Sequence, residues 1–232
     1  MRVALILLAL PVITVLALRW LPPPTSAFML RAAWMAHSQG RQDFVLRQRW
    51  VGLTEMSPAA GLAVIAAEDQ LFAVHHGFNF EAMAQAFRHN LDSGRVRGGS
   101  TISQQTAKNL FLYPGHSYLR KGLEAGFTVL LELLWPKARI LEVYLNIAQF
   151  GDGIYGVEAA SRAFFGKPAK RLEPAEAALL AASLPNPVKL RIDQPSSYVL
   201  KRREWIRRQM RQLNEEYFPR ELRPTASAAG SE

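Results

Sequence analysis

The sequence predicts a mostly α-helical domain with two lobes, preceded by one N-terminal transmembrane helix. Three observations support this prediction. Apolar residues recur at helical spacing along most of the 232-residue chain. Ser or Thr followed by Pro, or by a capping box, marks several helix starts. The first residues form an uncharged segment, and 49% of all residues are hydrophobic, which is enough for a buried core.

Composition excludes several classes of protein. With 20% charged residues the chain is neither disordered nor a polytopic membrane protein. The absence of cysteine excludes disulfide scaffolds, zinc ribbons and thiol catalysis. The 28 Lys and Arg against 19 Asp and Glu give a formal charge of +9. This surplus favours an anionic partner, such as nucleic acid, phospholipid headgroups or a phosphorylated substrate.

The N-terminal segment allows three interpretations. The uncharged run Val3–Leu18 is shorter than the roughly 20 residues that a bilayer core requires. Arg19 can extend its head outward, however, and Trp20 suits the interface, so residues 1–21 are predicted to be a membrane anchor. A cleaved secretory signal with small residues at 25–27 is the second interpretation, and a buried helix of a cytoplasmic protein is the third. Either of the first two exports the remainder of the chain.

The remainder divides into a stalk with a membrane-proximal helix at residues 22–43, a main domain at 44–215 and a partly disordered tail at 216–232. Phe44–Val51 is expected to be the one convincing strand, and residues 151–156, with three glycines, a mobile loop. Helices are predicted at 28–37, 58–67, 80–91, 101–111 and 118–135, from 136 onward, and at 157–165, 174–183 and 197–213.

The first cluster of candidate residues begins at Glu68. Glu68 follows the apolar residues 61–67, and a carboxylate beside an apolar surface is a stronger base because burial disfavours its charged form. If the helix continues, Glu68, Phe72 and His75 share one face. The alternative is an ordinary solvated helix end with a structural histidine. The spacing matches no zinc-protease pattern, so no metal site is predicted.

The second cluster follows the glycines at 98–99. Glycines before a helix N-terminus leave backbone N–H groups free, which suits a phosphate. Thr101, Gln105 and Lys108 lie on one face of the predicted helix and form a polar stripe with a cation. The alternative is a well-capped helix with a polar exposed face, since the spacing is not that of a Walker loop.

The third cluster contains Arg120, Lys121 and Glu124. The spacing of four between Arg120 and Glu124 is typical of an ion pair on a helix surface. Glu124 precedes the apolar residues 125–134, however, so we expect it to be partly buried, where an unpaired charge is costly. The two cations would then hold an anion beyond Glu124.

Together the clusters supply two carboxylates, Glu68 and Glu124, and the cations Lys108, Arg120 and Lys121. Paired carboxylates are typical of glycoside chemistry. A hydrolase needs a general acid for a sugar-oxygen leaving group. A transferase that expels a diphosphate instead needs one base and fixed positive charge. The set of residues favours the transferase.

These residues also occur in the order of the motifs of the peptidoglycan glycosyltransferases, which the chain resembles over residues 45–215. The matching motifs are Glu68-Asp69-x-x-Phe72-x-x-His75-x-Gly77, Gly99-Ser100-Thr101-Ile102-x-Gln104-Gln105, Arg120-Lys121-x-x-Glu124, Lys137-x-x-Ile140-Leu141-Glu142-x-Tyr144-Leu145-Asn146 and Phe164-Phe165-Gly166-Lys167. Five motifs in order make the resemblance highly specific.

The resemblance implies a lysozyme-like fold with a larger lobe and a smaller, membrane-facing lobe. The implied reaction polymerises lipid II into a β-1,4 glycan and releases undecaprenyl diphosphate, on the periplasmic side of the bacterial inner membrane. Glu68 is then the base for the acceptor 4-hydroxyl, and Glu124 lies near the donor diphosphate. The implied substrate-binding residues are Ser100, Thr101, Gln105, Lys108, Arg120 and Lys121, with Asp69, Phe72, His75 and Asn109 shaping the site.

The resemblance also bears on cofactors and partners. Leu71 stands where many relatives carry a basic residue. A divalent cation, Mg or Mn, is compatible with the family, although no cluster in the sequence would hold one. The implied partners are lipid II, the growing glycan strand, membrane lipids and cell-wall synthesis proteins, but not nucleic acid. Two alternatives remain, a lysozyme-like wall-cleaving enzyme and a membrane-tethered basic binding module built on residues 201–211. The simplest interpretation of residues 201–211 is a solvated helix with Trp205, Ile206 and Met210 packed inward.

Overall fold

The computed structural model describes residues 2–93, 99–115 and 117–213, and within these ranges the protein is mostly helical, as predicted. The predicted C-terminal tail and the residues just before Gly99 lie outside the described residues. The helices are α1 (Arg2–Ala17), α2 (Ala27–Ser38), α3 (Pro58–Glu68), α4 (Phe80–Ser93), α5 (Ile102–Phe111), α6 (Tyr118–Leu134), α7 (Lys137–Ile147), α8 (Val157–Phe165), α9 (Pro174–Ser183) and α10 (Ser197–Gln212). The strands are β1 (Arg47–Gln48), β2 (Gln149–Gly151) and β3 (Ile154–Tyr155).

The N-terminal helix α1 has 16 residues. The end of this helix and the segment that follows it are hydrogen-bonded to the rest of the domain. Trp135 donates from Nε1 to the carbonyl oxygen of Val15 at 2.7 Å, and Arg139 donates from Nη2 to the carbonyl oxygen of Leu21 at 2.6 Å. Val15 is fully buried. Among the described residues, no helix combines the length and the apolar character needed to cross a membrane.

Helix α3 is the centre of one group of packed helices. Its start follows the predicted signal, because the Ser57 hydroxyl accepts a hydrogen bond from a backbone N–H of the first turn and Pro58 takes the first helical position. The residues between Pro58 and Glu68 are small and apolar, which lets α3 pack closely against α9 and α10. This packing leaves Glu68, the last residue of α3, at the edge of the core.

Helix α5 is the centre of a second group and packs against α6 and α7. The predicted capping box is present: Thr101 caps the Gln104 N–H, and the Gln104 side chain returns to the Thr101 N–H at 3.0 Å. Helix α7 buries Ile140, Leu141 and Tyr144, as its spacing predicts. One continuous cluster of buried hydrophobic residues joins the two groups.

The sheet differs from the prediction in two ways. Of the strand expected at Phe44–Val51, only β1 forms, and it pairs in parallel with β3. The expected mobile loop at 151–156 is a hairpin in which β2 pairs antiparallel with β3. Gly153 has φ +70, and a Cβ there would lie 2.5 Å from the carbonyl oxygen of Val45. This glycine therefore serves close packing against the segment before β1.

Candidate active site

Helix α3 ends at Glu68, so Glu68, Phe72 and His75 do not share a helical face. Asp69 has φ −161 and ψ 76, which are outside the helical region. The segment from Asp69 to Gly77 then folds as successive turns. The condition under which the three residues would share a face, a helix that continues past Glu68, is therefore not met.

Glu68 is the buried carboxylate of the site. Its side chain is 15% exposed. Oε2 accepts a hydrogen bond from Nε2 of Gln105 at 2.9 Å, and Oε1 lies 3.4 Å from Nη2 of Arg202. Burial raises the pKa of Glu68, whereas the Gln105 hydrogen bond and the charges of Arg202 and Lys108 oppose that rise. The result is a carboxylate that accepts a proton more readily than an exposed one.

Gln105 is held in one orientation. Its Oε1 accepts a hydrogen bond from the hydroxyl of Tyr144 at 3.1 Å, and its Nε2 also lies 3.4 Å from the carbonyl oxygen of Ser100. An ionised carboxylate only accepts hydrogen bonds, so the amide nitrogen must face Glu68. Tyr144 and Ser100 thus aim the Gln105 amide at Glu68.

Asp69 and His75 form a buried support beneath the site. Asp69 is buried, and its carboxylate accepts hydrogen bonds from the N–H of Ile102 at 3.0 Å and from Nε2 of His75 at 2.9 Å. The N–H of Gly77 donates to Nδ1 of His75 at 3.1 Å, which assigns the ring proton to Nε2. Both residues therefore hold the turn segment against the start of α5.

The N-terminus of α5 is satisfied from within the protein. The Asp69 carboxylate and the Thr101 hydroxyl each take one of its first N–H groups, and the Thr101 hydroxyl itself donates to the carbonyl oxygen of Gly77 at 2.7 Å. Internal acceptors thus hold the N–H groups of Ile102 and Gln104, and the substrate-binding role of Thr101 stays a prediction. Ser100 is half-buried beside this turn.

Phe72 completes this support. Its ring is wholly buried, and Nζ of Lys137 lies 4.7 Å from the ring centroid. Lys137 also donates to Glu132 at 2.8 Å. Phe72 is therefore a core residue, and the Lys137 ammonium lies over its ring.

Glu124 is paired with Arg120, as the spacing of four on α6 predicts, and in addition with Lys121. The carboxylate is 2% exposed. Arg120 donates from Nη1 to one oxygen at 2.9 Å, and Lys121 donates to the other oxygen. Each carboxylate oxygen of Glu124 therefore accepts a hydrogen bond from one of the two cations.

Lys108, on α5, is a cation on which the charges of both candidate carboxylates act. Burial lowers the pKa of Lys108, the charge of Glu124 opposes that effect, and the charges of Arg120 and Lys121 reinforce it. The charge of Glu68 also acts on Lys108. Because Gln105 contacts Glu68 and Lys108 lies three positions further along α5, this one helix brings the two predicted carboxylate clusters together.

Two buried polar atoms near Lys108 lack a hydrogen-bond partner among the described residues. They are Oδ1 of Asn109 and Nε of Arg120. Unsatisfied buried polar atoms are rare in folded proteins. Both belong to residues that the sequence assigns to substrate binding, and a bound polar ligand would satisfy them.

The residues present do not form a divalent-cation site. No three metal-binding side chains come together in the part of the chain that the structure describes. The oxygens of Glu124 are bonded to Arg120 and Lys121, and those of Asp69 to His75 and the N–H of Ile102. Each of these oxygens therefore already accepts a hydrogen bond from within the protein.

Sequence reasoning missed the contact of Arg202 with Glu68 and that of Tyr144 with Gln105. In the basic helix α10, Ile206 and Met210 are buried as predicted, whereas Trp205 is exposed. Arg202 lies three positions after the buried Val199 and four before Ile206. Its place on the apolar face of the helix is a signal that could have been recognised.

These features define a class of enzyme. A buried carboxylate of raised pKa can take a proton from a hydroxyl, and fixed cations beside it can receive an anionic leaving group. Comparison with known proteins specifies the class further. The family model described as Transglycosylase matches residues 37–211. The chain belongs to the transglycosylase family and is therefore a glycosyltransferase.

Several bacterial relatives share most of the chain, and each is named biosynthetic peptidoglycan transglycosylase. The protein from Klebsiella oxytoca is 58% identical over 200 residues, which cover 86% of this chain and 83% of the relative. The protein from Cronobacter sakazakii is 52% identical over 218 residues, covering 94% and 90%. The protein from Xanthomonas campestris pv. campestris is 52% identical over 209 residues, covering 90% and 85%.

Proposed function

We propose that this chain, a peptidoglycan glycosyltransferase by its family, polymerises lipid II into β-1,4 glycan strands with Glu68 as the general base. The observation that carries this proposal is the setting of Glu68. It is a buried carboxylate of raised pKa, held by Gln105 on the same helix that carries Lys108. An apolar setting of this kind prepares a carboxylate to accept a proton near neutral pH.

The proposed reaction is one inverting displacement. The acceptor 4-hydroxyl gives its proton to Glu68 while its oxygen forms a bond to the anomeric carbon of the donor. The bond from that carbon to the diphosphate oxygen breaks, and its electron pair leaves with undecaprenyl diphosphate. An α-linked diphosphate displaced from the opposite face yields a β-linked product.

The cations Lys108, Arg120 and Lys121 are proposed to receive the departing diphosphate. Their charges act at the place where negative charge develops, and fixed positive charge of this kind lowers the barrier to leaving-group departure. Glu124 is proposed to keep Arg120 and Lys121 in position, since it bonds to both. The orphan buried atoms of Asn109 and Arg120 support a polar ligand in this region.

The reaction is proposed to take place in the cell envelope, at the periplasmic face of the inner membrane, with residues 1–21 as a single anchor. Large apolar side chains exposed on α2 and α6, among them Trp34, Leu119 and Leu133, support contact with membrane lipids. Lipid II and the growing strand are the proposed partners. Association with other cell-wall synthesis proteins is part of the same proposal.

The test is incubation of the purified protein with lipid II. Glycan polymer and free undecaprenyl diphosphate support the proposal, whereas shortened fragments from sacculi would indicate a wall-cleaving enzyme. Glu68→Gln should lower polymerisation at least about 100-fold, because loss of a general base costs this much or more. Glu173→Gln, which changes an exposed carboxylate at the start of α9, is the matched control. A Glu68→Gln enzyme with more than about a tenth of wild-type turnover would contradict the assignment of the base.

A further inference from the structure

Arg202 reaches the candidate base from the far end of the chain. It lies on α10, whose neighbouring residues Val199 and Ile206 are fully buried against the domain. Helix α10 packs against α3 and α9, and Nη2 of Arg202 ends 3.4 Å from Oε1 of Glu68. The packing of α10 therefore decides where this guanidinium lies.

The other oxygen of Glu68 is linked to α7 through Gln105. Tyr144 is almost fully buried and donates to Oε1 of Gln105, whose Nε2 donates to Oε2 of Glu68. Burial, and then the charges of Glu68 and Asp69, raise the pKa of Tyr144 well above its usual range. The phenol thus keeps its proton and remains a donor.

We propose that Arg202 and Tyr144 are positioning residues for Glu68, with Arg202 acting on one carboxylate oxygen and Tyr144 acting through Gln105 on the other. This proposal rests on the proposed role of Glu68 as the base. A carboxylate offers about four lone-pair directions. One contact to each oxygen fixes the plane of the group and leaves lone pairs open toward the acceptor hydroxyl.

The length of the Arg202 contact matters for this role. Charge-assisted hydrogen bonds in proteins are typically about 2.7–2.9 Å long, and the contact here is 3.4 Å. A short bidentate pair would stabilise the ionised form strongly and weaken the base. The contact therefore places positive charge beside Glu68 without a short bidentate pair.

The charged groups around Glu68 come from each side of the site. Lys108 on α5 and Arg202 on α10 bring positive charge, Asp69 adjoins Glu68 in the chain, and Tyr144 on α7 stays neutral. Helix α9 contributes buried alanines and leucines to its packing with α3. Among the described residues, Arg202 and Lys108 supply the positive charge that acts on Glu68, and removal of Arg202 should favour the protonated carboxyl.

The first experiment measures kcat/KM of lipid II polymerisation against pH. Arg202→Gln should move the acidic limb of the profile upward by about one pH unit, because an opposite charge nearby lowers a carboxyl pKa by about 1–3 units. Arg202→Lys should lie between Arg202→Gln and the wild type. Arg208→Gln, at an exposed position of the same helix, should leave the profile unchanged. The KM for lipid II should change less than kcat.

The second experiment is a double-mutant cycle. Tyr144→Phe should lower kcat about tenfold in the wild-type background but should have little further effect in a Gln105→Ala background, because it acts through Gln105. Turnover is expressed per folded molecule, measured by circular dichroism. Additive effects of the two substitutions would overturn the role of Tyr144.

The outcomes separate this inference from the proposed function. An active Glu68→Gln enzyme would overturn both. An inactive Glu68→Gln enzyme, together with a wild-type pH profile in Arg202→Gln, would overturn only the positioning role of Arg202. If Arg202→Gln does not fold, the profile of Arg202→Lys decides the question, and an unshifted profile would overturn the inference.

Discussion

Arg139 donates from Nη2 to the carbonyl oxygen of Leu18 at 2.9 Å and so ties the segment after the N-terminal helix to α7. Its guanidinium also bonds to Leu21 and Glu142. The side chain is buried, and hydrogen bonds to carbonyl groups that have left water are costly to lose. The N-terminal helix is therefore attached to the domain by specific contacts.

Replacing Arg139 should loosen this attachment. Arg139→Ala is expected to lower the free energy of unfolding by about 2–3 kcal/mol, because a charged donor to several carbonyls is removed. Urea denaturation in detergent measures the change. Cleavage by protease within residues 18–26 should also become faster, and unchanged proteolysis would show that these contacts do not hold the segment.

The contribution of Glu68 to the free energy of unfolding should decrease as pH rises. Burial raises the pKa of Glu68 in the folded state, so its favourable contribution is present below the unfolded pKa and is lost as pH rises through the folded pKa. As pH rises above the usual range of a carboxyl pKa, wild-type stability should therefore fall relative to Glu68→Gln. Parallel denaturation curves across this range measure the difference. A constant difference would contradict the raised pKa.

Glu124 should matter more for stability than an exposed glutamate that is also paired with two cations. Glu124→Gln leaves Arg120 and Lys121 without their buried partner and should cost about 3 kcal/mol, as is usual when one member of a buried ion pair is removed. Glu204 on α10 pairs with Arg203 and Arg207 at the surface, and Glu204→Gln should have no measurable effect. Equal effects of the two substitutions in thermal unfolding would contradict the organising role of Glu124.

Replacing Lys108 should lower activity without lowering the stability of the fold. Burial lowers the pKa of Lys108, so its charge is held at a cost to the fold. Lys108→Met should retain or raise the melting temperature while lowering turnover about 100-fold, because fixed charge near the leaving group is lost. Lys189→Met, at an exposed position, is the control. A parallel loss of melting temperature and turnover would instead indicate a structural role.

Two glycines should respond to alanine with opposite signs. Gly153 has φ +70 and its added Cβ would meet the Val45 carbonyl oxygen, so Gly153→Ala should destabilise the protein by about 2 kcal/mol or more. Gly126 lies in α6 with open space around it, and Gly126→Ala should stabilise by up to about 1 kcal/mol. Denaturant midpoints compare the two. Equal midpoints would show that the hairpin tolerates the strain.

Much of the helical structure was accessible from local sequence. The helix start at Ser57-Pro58 and the capping box of Thr101 and Gln104 depend on groups at most three positions apart. A short stretch of sequence therefore contains all the residues that make these contacts. The continuous run of apolar residues before Glu68 likewise predicts that Glu68 lies at the edge of the core. The same reasoning does not extend past Glu68, because the Asp69 carboxylate bonds to His75 and to the N–H of Ile102 across a turn.

The sequence by itself identified the candidate side chains of the site: one carboxylate after an apolar helix, a polar stripe with Lys108, and Glu124 beside Arg120 and Lys121. The tertiary structure decided what each of them bonds to. It brought Arg202 to Glu68 across 134 positions and Tyr144 to Gln105 across 39 positions. Such contacts depend on how helices pack against one another, and packing is a property of the whole core that no short stretch of sequence contains.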